Sequence, residues 1–314
     1  MPTYAKRRLM KISIIIPTYN AENYLPSLLE KLKNQTVKDA EIIVIDSSSK
    51  DKTIDIAKKY TNKIIVIPKE EFDHGGTRTK AAKLASGDIV VFLTQDALPY
   101  DEYSIENIVK VFEKDESIGG AYGKQVSYEK THLFGKHLRE FNYQDEAYIR
   151  SIEDAPLYGI KTAFLSNSFS AYRKKALQEI GWFKDNLILG EDTYAGAKLL
   201  LKGYKIAYVP QAKVYHSHSY SVFEEFKRYF DIGVFHKKEH WIIELFGKAE
   251  GEGIRYIKSE LKYILNHRAY HLIPEWFVRN AMKYIGYKLG QNYDKLPKWL
   301  VKKLSMHQSW WDKC

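Results

Sequence analysis

A largely apolar run, Ile12 to Ile16, is stopped by Pro17 and followed at once by Thr18, Tyr19 and Asn20. A short apolar run bounded by proline reads as a buried strand, and the polar triplet behind it marks where that strand opens. In parallel α/β sheets, ligands bind outside the carboxyl ends of the strands, so a nucleotide is expected at this turn. No Gly-x-Gly-x-x-Gly follows the strand, which argues against the usual dinucleotide pocket.

The strand is the first of a series. Leu25, Leu28, Leu29 and Leu32 recur at helical spacing over roughly 22–34, and Glu41–Asp46 is a second strand ending on a carboxylate. Ser47–Thr53 leads into a helix through about Tyr60, and Ile64–Ile67 forms a third strand. Phe72–Arg78 reads as a loop before a helix carrying Ala81, Ala82, Leu84 and Ala85, and Ile89–Leu93 is a fourth strand ending at Thr94-Gln95-Asp96. Strands alternating with helices at this pace mean βαβ units and a mainly parallel sheet. Beyond it we expect a helix at 104–114, strands at 119–126 and 164–172, and helices at 174–180 and 192–202. Two short strands, 205–209 and 213–215, follow, while the aromatic-rich stretch 130–160 has no readable period.

Past residue 235 the pattern turns helical. Ile254, Ile257, Leu261, Ile264 and Leu265 form one stripe, and Phe277, Ala281, Ile285 and Leu289 another, both expected to bury against the catalytic domain. The organisation expected is a basic extension over 1–10, a catalytic domain over 11–235 and a helical region over 236–314. The last holds fifteen Lys/Arg against eight Asp/Glu, +7 of the chain's +10, and five of its six tryptophans. Basic residues with interfacial aromatics suit an anionic membrane surface, and equally the solvated face of a helical subdomain; nucleic acid is not expected. The single cysteine, Cys314, allows no internal disulfide and suits a reducing cytosol. With no apolar run of about 18 residues, no transmembrane helix is expected. Ile12–Ile16 is too short for a signal sequence, so a cytoplasmic protein, peripheral on the inner face of the cell membrane, is expected.

The chemistry should lie at the strand ends. Thr18, Tyr19 and Asn20 offer stacking and hydrogen bonding, Asp46 an acceptor, Arg78 a cation for phosphate, and Asp96 a hard oxygen ligand. A lone strand-end Asp commonly just caps the next helix, but four polar clusters on one sheet are harder to explain as capping. Likewise Glu191-Asp192 at a helix start is, alone, an acidic N-terminus favoured by the helix dipole. His216 and His218, two apart, would face the same way from a strand.

In order, Ile-Ile-Pro17-Thr18-Tyr19-Asn20, Ile-Asp46-Ser-Ser-Ser, Arg78, Thr94-Gln95-Asp96 and Gly190-Glu191-Asp192 resemble the motifs of the family 2 glycosyltransferases over about 11–235. The resemblance implies a GT-A nucleotide-sugar-binding fold, α/β with a mixed, mainly parallel sheet, and a divalent metal, Mg²⁺ or Mn²⁺. It also implies transfer with inversion. Phe72–Arg78 and Phe92–Pro99 are similar to bacterial rhamnosyltransferases of surface-polysaccharide assembly, which implies dTDP-β-L-rhamnose as donor and a lipid-linked glycan as acceptor. By position, Pro17, Thr18, Tyr19 and Gln95 would lie at the donor, with Thr18 and Tyr19 lining the nucleoside pocket. Asp46 would accept from the pyrimidine N3–H, and Arg78 would hold ribose or diphosphate. Asp96 matches the last residue of the family's Asp-x-Asp motif, whose first Asp is here Thr94. Asp192 matches the catalytic base, Glu191 its orienting neighbour and His216 a metal ligand, with His218 at the metal or the diphosphate. A UDP-hexose or UDP-N-acetylhexosamine donor on the same fold is the nearest rival reading. A non-catalytic nucleotide-sugar-binding or scaffolding protein is the rival from another class, and retention of Asp46, Asp96 and Asp192 together speaks against it.

Overall fold

Ile14 and Ile16 bury against one set of side chains and Ile15 against another, so the first strand is covered on both faces. Ile89, Val91 and Leu93 likewise oppose Val90 and Phe92. That alternation fixes a sheet sandwiched between helices, which is what a mainly parallel sheet requires. The computed structural model describes residues 10–248 and 251–313, so most of the basic extension and Cys314 lie outside the described residues.

The first half runs β1 (Ile12–Thr18), α1 (Leu25–Lys33), β2 (Glu41–Asp46), α2 (Thr53–Ala57), β3 (Ile64–Val66), α3 (His74–Leu84) and β4 (Ile89–Leu93). Next come β5 (Leu98–Pro99), α4 (Ser104–Lys114), β6 (Ile118–Val126), α5 (Leu133–Asn142), β7 (Tyr148–Arg150) and α6 (Ala155–Tyr158). The second half has β8 (Phe169–Arg173), α7 (Lys174–Glu179), α8 (Glu191–Leu201) and β9 (Lys205–Tyr215). It ends with α9 (Val222–Lys238), α10 (His240–Phe246), α11 (Glu252–Asn266), α12 (Ile273–Gly290) and α13 (Lys298–Leu304). The sheet order is β3-β2-β1-β4-β8-β6-β9-β5, with β7 also on β9. Strands β8, β5 and β7 run against the rest, giving a mixed, mainly parallel sheet.

Several local expectations are corrected. Phe72–Arg78 is not a loop throughout: Asp73 caps α3, its carboxylate accepting from the Gly76 N–H at 2.6 Å, and the helix starts at His74. The strand expected over 164–172 begins only at Phe169. The two short strands at 205–209 and 213–215 are one, interrupted on β6 by a register shift at Pro210, which has no N–H for the ladder. Stretch 130–160 holds α5, β7 and α6.

The helical region departs most from expectation. α9 runs straight across residue 235, where composition placed the edge of the catalytic domain. Of the first stripe only Ile264 is buried, while Ile254 is 63% exposed; of the second, Phe277 is 69% exposed and Ile285 45%. What α12 buries instead is Arg279, Lys283, Gly286 and Gly290. The reason is backbone contact: a Cβ on Gly286 or Gly290 would lie 2.5 or 2.0 Å from the carbonyl oxygens of Phe226 and Phe230 on α9. Arg279 and Lys283 enter that seam paired with Glu225, Glu260 and Glu275. The tryptophans are mostly not interfacial either. Trp310 and Trp311 pack in the main core, Trp241 and Trp276 are half-buried, and Trp299 is the one of the five that is exposed. Among the described residues no helix is long and apolar enough to cross a membrane.

Candidate active site

Gly190 adopts a left-handed conformation at φ +80°, ending the preceding loop and launching α8 so that Glu191 and Asp192 open its first turn. Both carboxylates are held by Asn167. Its Nδ2 donates to Glu191 Oε1 at 3.0 Å and its backbone N–H to Asp192 Oδ2 at 3.1 Å. The Asn167 side chain is itself fixed, its Oδ1 accepting from Ser170 Oγ and Tyr172 Oη at 2.8 Å each. Arg78 completes the group with an ion pair to Glu191 at 3.2 Å and a bond to the His74 carbonyl at 2.9 Å.

This arrangement splits two adjacent acids. Burial opposes ionisation of Glu191, but the Arg78 charge, with His74 and the Asn167 amide, holds its carboxyl below the ordinary value. Asp192 is pushed the other way, up to about 7, by burial and then by the Glu191 charge, against the Asn167 and Thr193 backbone N–H groups. One carboxylate stays anionic and the other titrates near neutrality. Such separation of paired acids is the electrostatic arrangement that acid/base chemistry requires.

A second cluster faces the first across the same cavity of about 590 Å³, lined by Arg78, Asp96, Glu191, Asp192, His216 and His218 among others. His216 Nε2 lies 3.5 Å and His218 Nε2 3.8 Å from Asp96 Oδ2, and the ligand atoms of all three fall within 4.8 Å of one another. Burial would raise the Asp96 carboxyl, yet the His216 hydrogen bond and both histidines bring it well below the carboxylate range. Burial lowers His216, and burial with the His216 charge lowers His218 to about 4. The cluster therefore offers one carboxylate and two imidazoles whose burial opposes protonation, ligand types that a divalent metal takes.

Gln125 sets the tautomer. Its Oε1 already accepts from Arg139 Nη1 at 2.7 Å and lies 2.8 Å from His216 Nδ1, so Nδ1 must carry the proton. Nε2 is then the nitrogen that faces Asp96, and the one a metal ion would take.

The remaining sequence candidates sit beside the cavity, not in its wall. Pro17 pairs with Ile45 in the β1–β2 ladder. Gln95 ties the next turn, accepting from the Tyr19 N–H at 2.9 Å and donating back to its carbonyl at 3.3 Å. Lys69 Nζ reaches Tyr19 Oη at 2.7 Å. Asp46 is fully buried and accepts from Thr18 Oγ1, Ser49 N and Ser49 Oγ at 2.8, 2.7 and 2.6 Å. Three donors occupy three of about four lone-pair sites on a carboxylate, which leaves one. Asn20 and Ser48 both have positive φ, 47° and 57°, as turns at ligand sites often do.

Sequence reasoning passed over Asn167, Gln125, Arg139, Arg228, His74 and His307, all of which line the cavity. A second cavity of about 370 Å³ shares Asn142, Lys161 and Phe164 with the first, and Tyr122, Tyr148, Tyr158, Tyr208 and Phe141 supply its aromatic walls. Arg150 is stacked between Tyr148 and Tyr158, 3.9 and 4.1 Å from the ring centroids.

The model of "Glycosyl transferase family 2" matches residues 13–181. The chain belongs to glycosyltransferase family 2. It is 42% identical over 305 residues, 96% of each chain, to the O-antigen chain rhamnosyltransferase RfbN of Salmonella typhimurium. It is also 42% identical over 302 residues, 96% of this chain and 95% of the other, to WbaN of Salmonella anatum, described in the same words. Among solved structures it is similar to the mannosyltransferase PcManGT from Pyrobaculum calidifontis in complex with GDP-Man and Mn²⁺. That likeness has a TM-score of 0.64 at 15% identity and covers 91% of this chain and 88% of the other. At that identity the likeness speaks for the GT-A fold alone. This family 2 glycosyltransferase thus carries its two polar clusters, acidic pair and Asp-His-His, in one GT-A cavity.

Proposed function

We propose that this glycosyltransferase transfers L-rhamnose from dTDP-β-L-rhamnose to a lipid-linked surface-polysaccharide precursor, with inversion, at the cytoplasmic face of a membrane. The observation that carries the chemistry is the split acidic pair beside Arg78, facing the Asp-His-His cluster across one cavity. The two Salmonella relatives, matched end to end, support rhamnose as the sugar.

The acceptor hydroxyl gives its proton to Asp192 as its oxygen forms the new bond to the anomeric carbon. The bond to the nucleoside diphosphate breaks on the opposite face. An Asp poised near pH 7 suits that task, because a base works best with a pKa close to the working pH. Glu191 does not take the proton: Arg78 keeps it ionised, and its charge makes Asp192 more basic. Arg78, expected to bind ribose or diphosphate, acts in this reading chiefly through Glu191. Thr18 and Tyr19 flank the nucleoside, and the remaining lone pair of Asp46 receives the pyrimidine N3–H. Asp96, His216 and His218 would hold a divalent ion, which when bound neutralises charge on the departing diphosphate. Two imidazoles in the set favour Mn²⁺ over Mg²⁺, which prefers oxygen ligands. Arg139 and Arg228 add cations to the same wall. The second cavity, with its tyrosines and stacked Arg150, takes the acceptor beyond its reacting sugar.

The direct test is donor hydrolysis and binding across purified nucleotide-sugars with Mn²⁺ present. dTDP-β-L-rhamnose is expected to be preferred; preference for a UDP-hexose or UDP-N-acetylhexosamine would replace it with the rival donor. Gln125→Leu is expected to weaken Mn²⁺ binding ~10–100-fold, since it frees the His216 tautomer and orientation. Titration of Mn²⁺ against a bound nucleotide diphosphate reads this out, and unchanged affinity would remove Gln125 from the role.

A further inference from the structure

We infer that the exposed side of the α11–α12 hairpin is the seat on which this protein docks on an anionic lipid bilayer. The inference rests on the membrane-facing part of the reading above but not on its chemistry. On α11, Ile254, Ile257, Leu261 and Leu265 follow one another at steps of three and four, and three of the four are at least 36% exposed. On α12, Phe277, Val278, Tyr284 and Ile285 are 69, 48, 64 and 45% exposed.

The two strips form one surface. The helices meet where Glu260 bonds Asn280 at 2.8 Å and pairs with Lys283 at 3.5 Å. Phe277 and Tyr284 stand three before and four after Asn280, along that seam. Ile257 stands three before Glu260, and Leu261 directly follows it. In an antiparallel hairpin these positions fall on one side, and the opposite side of α12 is gripped by α9 through Gly286 and Gly290. Contiguous apolar side chains on a surface helix pair mark an interaction site rather than scattered exposure.

Charge selects the occupant. Lys258 and Lys262 border the α11 strip and Lys288 lies within the α12 one, all exposed, and among the described residues none is ion-paired. An apolar strip edged by lysines matches the boundary between acyl chains and anionic headgroups, where a protein–protein patch would place carboxylates opposite. The lysines of α13 are less suited, since Lys302 is paired with Asp312 at 2.6 Å. The seat also adjoins the acceptor path, because Glu252 and Arg255 in the first turns of α11 line the second cavity. A lipid-borne acceptor would thus arrive beside it.

Flotation of the whole protein with phosphatidylcholine vesicles, with and without phosphatidylglycerol, tests the inference. Wild type is expected to float with the anionic vesicles at low salt and to be released at high salt. Ile257→Ser with Phe277→Ser is expected to lower partitioning about tenfold. Lys258→Glu with Lys262→Glu should lower it at least about fivefold per lysine. All four side chains are exposed, so melting temperature and nucleotide binding should not move. Wild type that ignores anionic vesicles, or variants that bind them as wild type does, overturns the inference. A dimer in sedimentation that the same substitutions dissolve, without vesicle binding, would overturn it in favour of a second copy. Vesicle binding by a protein that hydrolyses no nucleotide-sugar would leave the seat standing and sink the catalytic reading.

Discussion

Asp192→Asn is expected to lower glycosyl transfer ~10²–10⁴-fold, the contribution typical of a positioned base, while nucleotide diphosphate binding stays near wild type. Asparagine keeps the size and can still accept one of the two backbone N–H bonds from Asn167 and Thr193, but it cannot take a proton. Calorimetry beside a transfer assay separates the two effects, and near-normal turnover would remove Asp192 from the role. The pH dependence has a definite sign. Asp192 must be ionised to act, so turnover rises with pH through about 7, where burial and Glu191 place it. Glu191→Gln removes the neighbouring charge, so the rising limb should move to lower pH and the weaker base should turn over more slowly. The same raised pKa has a cost in stability. Between about 3.8 and about 7 the native state holds a proton on Asp192 that the unfolded chain has lost, so this contribution is full at acid pH and fades as pH rises through that window.

Chelation should abolish turnover and weaken nucleotide diphosphate binding, and Asp96→Ala should reproduce both in the presence of Mn²⁺. Asp96 is the one carboxylate in the cluster, and removing it leaves two neutral imidazoles with no anionic ligand. Diphosphate and metal share their charges, so losing one weakens the other. Binding measured with and without Mn²⁺, for wild type and variant, gives a double comparison. If chelation changes neither binding nor turnover, the Asp-His-His assignment fails, and Arg139 and Arg228 become the groups that neutralise the diphosphate.

Much of this was legible because strand ends announce themselves. Thr18, Asp46 and Asp96 stand at or just beyond the ends of buried apolar strands, although β1 runs on through Pro17, and a βαβ chain can put such ends at only one edge of its sheet. The pairing of Asp96 with His216 followed from the resemblance, and the structure brings the two together across more than a hundred residues. Asn167 and Gln125 were illegible. Each acts through a side-chain amide aimed at another functional group, and no local pattern distinguishes such an amide from a surface one. Phe72–Arg78 was misread because glycines at 75 and 76 signal a turn, whereas the Asp73 cap outweighs their poor helix propensity. The apolar stripes of α11 and α12 misled for a deeper reason. Periodicity shows that a helix has an apolar face, not that the protein's own core is what covers it.

The glycines at the α9–α12 crossing leave no compressible layer between the outer hairpin and the reaction chamber. Arg228, Tyr229 and Ile232 stand on α9 toward the chamber, the neighbouring Phe226 and Phe230 carbonyls abut α12, and Lys283 of α12 reaches the chamber itself. A hairpin resting on a bilayer would therefore hold Asp192 at a set height above the lipid, as a gauge block holds a tool above a bench. Acceptors would then be sorted by reach as well as by chemistry: a sugar too near the surface or too far above it would miss the carboxylate, however well its hydroxyls matched.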